Sequence, residues 1–318
     1  MKRIGLVLAM AGLAASCGIA SAQGDYPNQM VRVIVPFSAG SITDGLARIL
    51  ADKLTLMWKQ QVIVENRAGL PGTTGVAKAA PDGYTLMLTS NGHTIAGVIN
   101  KNLQYDPVAD FAGVSRVAAV PMAMIVPPDH PAKTLKEFLQ IAKDKPGQLN
   151  FSSAGVASTS YLSAEIMRQN AGVDMVHVPF KGAPEAVTSV VRGDTQMYYA
   201  PIPTAQELGT AGKVRVLAIN SAKRMPQLPD TPTVAETLPD YRYESWFGVM
   251  APAGTPKPIL DKVSRDIATV LALPDVKEKL EVQGSFPAPT TPGEFDAIIR
   301  SDTERYGRIL RDAGVGSN

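Results

Sequence analysis

Residues 31–48 read VRVIVPFSAGSITDGLAR. The β-branched residues Val31, Val33, Ile34 and Val35 predict a buried strand. Pro36 stops it, and Ser38, Ala39, Gly40 and Ser41 form a turn of small residues. Thr43 and Asp44 then open a helix in which Leu46, Ile49, Leu50 and Leu54 recur at helical spacing. A strand that hands a Gly/Ser turn to a helix N-terminus leaves several backbone N–H groups unpaired and aimed at one point. That geometry suits an anion such as a carboxylate. An ordinary strand-to-helix turn has the same pattern, so the stretch speaks to fold class before it speaks to function. The pattern recurs near Asn150, where Ser152, Ser153, Ala154 and Gly155 precede a second predicted helix.

Upstream, residues 1–22 combine a basic start (Lys2, Arg3), an apolar centre and the ending Ala20, Ser21, Ala22. This predicts a secretory signal peptide cleaved before Gln23, not a transmembrane helix. The chain's one cysteine, Cys17, follows Leu13, Ala14, Ala15 and Ser16 in an imperfect lipoprotein box shifted by one residue. The cleaner A-x-A site favours ordinary cleavage over lipid anchoring. No other stretch is long and apolar enough to span a bilayer. Cleavage would remove Cys17 and leave no disulfide, and roughly 295 residues suffice for a core that needs none. The chain carries 31 basic and 29 acidic residues, and loss of Lys2 and Arg3 balances them. That balance argues against nucleic acid or an anionic membrane surface as the main partner.

Downstream, strands and helices alternate. Strands are expected at 31–35, 61–65, 85–89, 114–126, 149–152, 176–179, 195–199, 214–219 and 245–251. Helices are expected at 44–58, 76–79, 134–143, 159–170, 184–191, 257–271 and 292–313, with Thr134 and Glu137 forming a capping box. Two similar units joined by long connecting strands predict an α/β protein of two lobes around a cleft. Each lobe is expected to be a mainly parallel sheet flanked by helices, with ligands beyond the carboxyl ends of the strands.

The motifs argue for binding over catalysis. The stretch 69–75, GLPGTTG, lacks the Lys-Ser/Thr ending of a phosphate loop and reads as a turn. There is no G-x-S-x-G, no H-E-x-x-H and no Cys-x-x-Cys. His130 reads as a surface loop residue, His177 as a core or cleft histidine, and His93 as a cleft candidate that could pair with Ser90 or Ser153. No His/Cys/Asp/Glu cluster has metal-ligand spacing, and no cofactor is expected. Residues 38–41, 90–91, 152–158 and 180–183 remain at strand ends, as small hydroxyl and glycine groups that bind and orient without supplying an acid and a base.

These segments resemble a known family, the Bug-type substrate-binding proteins, extracytoplasmic receptors of tripartite tricarboxylate transporters. The resemblance is carried by VRVIVPFSAGSITDGLAR (31–48), VIVENRAGLPGTTG (62–75), APDGYTL (80–86), YDPVADF (105–111) and LNFSSAGVAS (149–158). HVPFKGAPEAV (177–187), GKVRVLAI (212–219), PDTPTVAE (229–236) and WFGVMAPAGTP (246–256) continue it in order. It implies a periplasmic-binding-protein-like fold, with lobe 1 at 23–120 and 248–318, lobe 2 at 121–247, and a hinge near Val120 and Phe247. It also implies a small carboxylate ligand held by backbone N–H groups, hydroxyls and water.

Carried over by position, the first-lobe loop comprises Phe37, Ser38, Ala39, Gly40, Ser41, Thr43 and Asp44, with Ser90 and Asn91 nearby. The second-lobe loop comprises Ser153, Ala154, Gly155, Ser158 and Thr159, opposite Phe180, Lys181, Gly182 and Ala183. Tyr161 stands where the family often has histidine, and Ala200 replaces a frequent aspartate, which disfavours an amino-acid ligand. Tyr198 or Tyr199 could offer a flat wall to an aromatic acid. The expectation is a monomeric, periplasmic solute receptor, not an enzyme, that delivers its ligand to membrane permease subunits. A secreted serine hydrolase and an orphan sensor for a signalling kinase are the rival readings.

Overall fold

The structure, a computed structural model, describes residues 26–37, 39–155, 158–180, 182–241, 243–312 and 314. The expected signal peptide, Cys17, Ser38 and Lys181 lie outside the described residues. The opening stretch folds as read: β1 (Val31–Val35) leads through the small-residue turn into α1 (Ile42–Trp58). Next come β2 (Val62–Asn66), α2 (Leu70–Ala77), β3 (Thr85–Ser90), a 3-10 turn (Asn91–Ile95) and α3 (Ala96–Ile99). β4 (Phe111–Ala119) leaves this region and β5 (Met122–Val126) enters the next. There follow α4 (Leu135–Asp144), β6 (Asn150–Ser153), α5 (Thr159–Ala171), β7 (Val176–Pro179) and α6 (Ala183–Val191). β8 (Tyr198–Pro201), α7 (Ile202–Thr210), β9 (Arg215–Ile219) and α8 (Val234–Thr237) complete it. The chain returns through β10 (Trp246–Pro252), α9 (Lys257–Ala272), α10 (Pro274–Val282), β11 (Phe286–Pro287) and α11 (Pro292–Asp312).

The returning strand joins the first sheet, whose order is β11-β4-β10-β3-β1-β2. β1 is parallel to β2 and β3, whereas β10 is antiparallel to β3 and β4, and β11 to β4. The second region holds an antiparallel sheet β8-β5-β9 and a parallel pair β6-β7. The α/β class stands, but the sheets are mixed, not mainly parallel. The reason is the crossing itself: the chain goes out along β4 and comes back along β10, so these neighbours run in opposite directions.

The strand expected over 114–126 is two strands, because Pro121 lacks the N–H that a continuous ladder needs. At that break the two crossings are tied together. Val120 N–H donates to the Ser245 carbonyl at 3.2 Å, and Ser245 Oγ donates to the Val120 carbonyl. The turn expected at 69–75 is α2 instead, capped by Gly69 at φ +75°. A Cβ on Gly72 would sit 2.0 Å from the Arg67 carbonyl oxygen, so the helix packs onto the preceding loop only through glycine.

Both faces of the first sheet are covered. Leu46, Leu50, Val263 and Ile267 pack from α1 and α9 on one side, and Phe295 and Ile299 from α11 on the other. Burying a phenylalanine such as Phe295 contributes about 1.5–3 kcal/mol. β10 makes room for it with Gly248, whose Cβ would fall 2.3 Å from the Phe295 ring. The far end of α11 leaves this core. Tyr306 and Leu310 pack instead with Phe138, Phe151, Leu162 and Ile166 of the second region. One helix therefore belongs to both cores. Among the described residues no helix is long and apolar enough to cross a membrane.

Candidate functional site

The first loop is held by a carboxylate. Ser41 caps α1, its Oγ accepting from Asp44 N–H at 3.2 Å. The Asp44 carboxylate accepts from Gly40 N–H at 2.9 Å, Asn66 Nδ2 at 3.0 Å and Arg48 Nε at 3.1 Å. Burial works against its charge, but hydrogen bonds from Arg48, Gly40 and Asn66 outweigh that and hold the carboxyl below its usual range. Asn66 Nδ2 also reaches the Phe37 carbonyl at 3.2 Å. Asp44 thus fastens the loop, with both oxygens engaged, and is not free to touch a ligand. Thr43 is buried beside it, whereas Ala39 and Gly40 are exposed at the turn.

The second loop is held by hydroxyls. Ser153 ends β6, and its Oγ accepts from Gly155 N–H at 3.1 Å and lies 2.7 Å from His177 Nε2. Gly155 adopts φ +106°, a conformation costly for any residue with a side chain. Ser158 caps α5: its Oγ accepts from Tyr161 N–H at 3.1 Å and donates to the Gly155 carbonyl at 2.6 Å. Ser160 Oγ accepts from Ala154 N–H at 3.1 Å. Phe180 N–H donates to the Ser153 carbonyl at 2.9 Å, which brings the Phe180, Gly182 and Ala183 segment against this loop. Gly182 caps α6 without a side chain.

The Ser–His pairs considered for His93 do not form. His93 is buried and its Nε2 meets the Pro107 carbonyl at 2.8 Å. The serine–histidine contact that exists, Ser153 with His177, is 24 residues apart in sequence and is made by the β6–β7 pairing. Ser153 exposes no surface, and the imidazole lies between Phe151 and Tyr161, with ring centroids 4.9 and 4.6 Å away. Burial lowers the His177 pKa to about 4, so the ring is neutral at pH 7. A serine closed off from solvent cannot meet an ester; this pair shapes the turn. It also makes a bulky replacement at Ser153 a test of folding, not of ligand binding.

Ser90 caps the 3-10 turn, and Asn91 is fully buried. Asn91 Nδ2 donates to Tyr243 Oη at 3.0 Å, and Tyr243 Oη donates to the Thr159 carbonyl at 3.3 Å. A buried relay thereby links the end of β3 to the first turn of α5. Tyr198, Tyr199 and Ala200 are 1%, 0% and 0% exposed. The wall expected of Tyr199 is therefore corrected: the face of β8 that carries it points into the core, in the cluster that holds Tyr161, Leu162 and Tyr241. His130 is likewise not a surface residue; it packs on Phe138, and its Nδ1 accepts from Ala132 N–H at 3.1 Å.

A cavity of about 410 Å³ joins the two regions. Gly40, Ser41 and Asp44 line it from one side, Pro201 and Thr204 from the other, and Gln283 closes one end. Pro201 ends β8 and Thr204 lies in the first turn of α7 that follows it, so both stand at a strand end. Gln283 carries no sequence signal. It arrives from α10, and its side chain would lie 3.2 Å from a Cβ on Gly45. Among the described residues no cluster of His, Cys, Asp or Glu could hold a metal. Arg48, the guanidinium at the first loop, is spent on Asp44 and on Asn66 Oδ1 at 3.1 Å. Among the described residues, what the loops offer an anion is backbone N–H and hydroxyl groups.

The family model described as "Tripartite tricarboxylate transporter family receptor" matches residues 46–315. Protein BugT of Bordetella pertussis is 32% identical over 318 residues, covering 98% of this chain and 96% of the relative. A protein from the tcbD-tcbE intergenic region of Pseudomonas sp. strain P51 is also 32% identical, over 100% of this chain and 97% of its own length. Among solved structures, Rpa4515 of R. palustris with adipate has a TM-score of 0.78 at 31% identity, covering 91% of this chain and 99% of the other. MatC of Rhodopseudomonas palustris with bound malate has a TM-score of 0.74 at 31% identity, covering 90% and 100%. The two-lobed fold expected from the sequence is that of these neighbours, which are solute-binding proteins and not enzymes. The chain belongs to the receptor family of the tripartite tricarboxylate transporters.

Proposed function

We propose that this chain is a periplasmic receptor for a small aliphatic dicarboxylate, bound in the cleft between its lobes for transfer to the permease subunits of a tripartite transporter. The observation that carries the reading is the pair of serine-capped helix N-termini, α1 and α5, each presented by a Gly/Ser loop at a strand end. The first turn of each helix supplies partial positive charge there. Relatives that hold adipate and malate support the ligand class. The buried position of Tyr199 favours an aliphatic acid over an aromatic one.

In this reading lobe 1 takes residues 23–120 and 248–318 and lobe 2 takes 121–247, with the Val120–Ser245 tie at the hinge. The ligand-contacting surface is the first loop (residues 37–41), with Ala39 and Gly40 exposed, the 154–159 loop and residues 180–183. Asp44, Ser153 and Asn91 act behind it as positioning groups. Closure excludes water, which strengthens each N–H···carboxylate bond. Secretion as a soluble monomer through the residue 1–22 signal completes the proposal.

The test is a thermal-shift screen of the mature protein with succinate, malate, adipate, citrate, glutamate and aromatic acids, followed by calorimetry. A ligand at a hundredfold excess over its Kd adds about 2.7 kcal/mol of stability. A C4–C6 dicarboxylate should raise Tm, be recovered unchanged, and lose its effect in Thr204→Phe, which fills the 410 Å³ cavity. Absence of a shift with every acid, or turnover of an ester, would overturn the reading. A permease-deletion strain that still responds to the ligand would favour a sensor.

A further inference from the structure

A second and larger cavity, about 660 Å³, opens where the chain crosses between the two regions. Its polar floor is Arg116 on β4, which is only 9% exposed. Arg116 Nη2 donates to Glu244 Oε1 at 2.6 Å and Nη1 to Oε2 at 3.3 Å. Its Nε is buried and has no hydrogen-bond partner among the described residues. The Glu244 side chain is 60% exposed, so a buried guanidinium is neutralised by a carboxylate that stands mostly in water. The cavity's other acid, Asp302, is engaged elsewhere: its Oδ2 accepts from Trp246 Nε1 at 2.7 Å. Arg305, stacked 5.7 Å from the Tyr306 ring, is the second cation among the described lining residues. Ala222, Ala235 and Ile298 supply apolar wall.

We propose that this cavity is a second binding site, distinct from the cleft loops, that takes a small organic monocarboxylate on Arg116 in place of Glu244. The charges select the class. Among the described lining residues two arginines face two carboxylates, and swinging Glu244 into solvent leaves these groups one net positive charge for one incoming negative charge. A dicarboxylate would set its second charge against Asp302. A buried cation requires a partner, and the resident one is the exposed, replaceable member of the pair. The cavity walls come from β4, the segment that leads into β10, the residues after β9, α8 and α11, apart from the residues that line the cleft cavity.

Benzoate is the probe, and Trp246 the reporter. The chain has two tryptophans, so Trp58→Phe leaves Trp246 alone against Asp302. Benzoate should change its fluorescence saturably. Glu244→Gln, which removes the competing carboxylate from an exposed position, should tighten binding by about tenfold, and Arg116→Met should weaken it by at least as much. Thr204→Phe, which fills the other cavity, should leave the titration unchanged. No saturable change in Glu244→Gln up to about 50 mM benzoate, weaker binding in that variant, or loss of the signal in Thr204→Phe would each overturn the proposal. Should no acid bind the cleft while the Arg116-dependent titration persists, the proposed function fails and this site stands.

Discussion

The two helix N-termini that face the cleft loops are built from opposite chemistry. At α1 the turn is tied by a charge: Asp44 gathers Gly40, Asn66 and Arg48, and Arg48 reaches on to Asn66. At α5 the turn is tied by neutral groups: Ser153, Ser158 and Ser160, with a neutral His177 behind them. A carboxylate already resident at α1 draws on the field that a ligand anion would use, whereas among the described residues the α5 turn is tied by no charged group. The difference teaches that similar strand–turn–helix patterns do not make equivalent half-sites. The α5 loop should contribute more of the anion affinity, and the α1 loop more of the rigidity.

The largest effect that could break this contrast is at Asp44. Asp44→Ala frees the Gly40, Asn66 and Arg48 donors around a buried position and should cost about 2 kcal/mol of stability, read by urea denaturation. It should also lower dicarboxylate affinity more than tenfold by calorimetry. Gly155→Ala and Gly40→Ala form a matched pair. Each should cost about 1–2 kcal/mol, with Gly155 the more affected because φ +106° lies farther from the left-handed well than φ +80°. Ser158→Ala removes the α5 cap and should cost about 1 kcal/mol. It should weaken ligand binding more than Ser41→Ala does; equal effects would remove the asymmetry between the loops.

The smallest effect is in the pH profile. Burial depresses the His177 pKa from 6.5 to about 4, so below pH 6.5 the unfolded chain binds a proton that the folded one does not. His177 therefore leaves stability untouched above pH 6.5 and lowers it progressively as the pH falls toward 4. His177→Gln should shallow that decline, with the buried His93 supplying a remaining share. Asp44 acts lower on the scale, its stabilisation being lost only as the pH falls below the usual carboxylate range toward its depressed pKa. An unchanged slope in His177→Gln would mean that His177 titrates alike in both states.

Much of this molecule was readable along the chain. β1, the Gly/Ser turn and α1 follow from a β-branched run, a proline stop and 3.6-residue spacing, all of them local signals. The same holds for the Ser158 cap and for the Thr134 cap of α4, although Glu137 reaches Lys133 N–H at 2.6 Å, one residue short of the expected box. Strand direction was not readable, since a local pattern does not say whether a long strand turns back or crosses over. Tyr199 was ambiguous for a related reason: whether one or both faces of β8 are covered depends on what packs there, and Tyr199 is buried in one core cluster and Tyr198 in another.

The sequence alone determined the alternation of elements, the two loop-bearing helix starts, the shortage of catalytic and metal-ligating groups, and a resemblance spread across the chain. The elements and loop-bearing helix starts are encoded within a dozen neighbouring residues, where periodicity, capping and turn chemistry act. Tertiary structure alone decided which of those residues meet. It set Ser153 on His177, brought Gln283 to Gly45, sealed Tyr199 in the core, and gathered Arg116, Glu244 and Asp302 at the crossing. Such contacts join positions dozens to hundreds of residues apart. Their geometry is set by sheet register and by the packing of α11 against both cores, quantities that no local window contains.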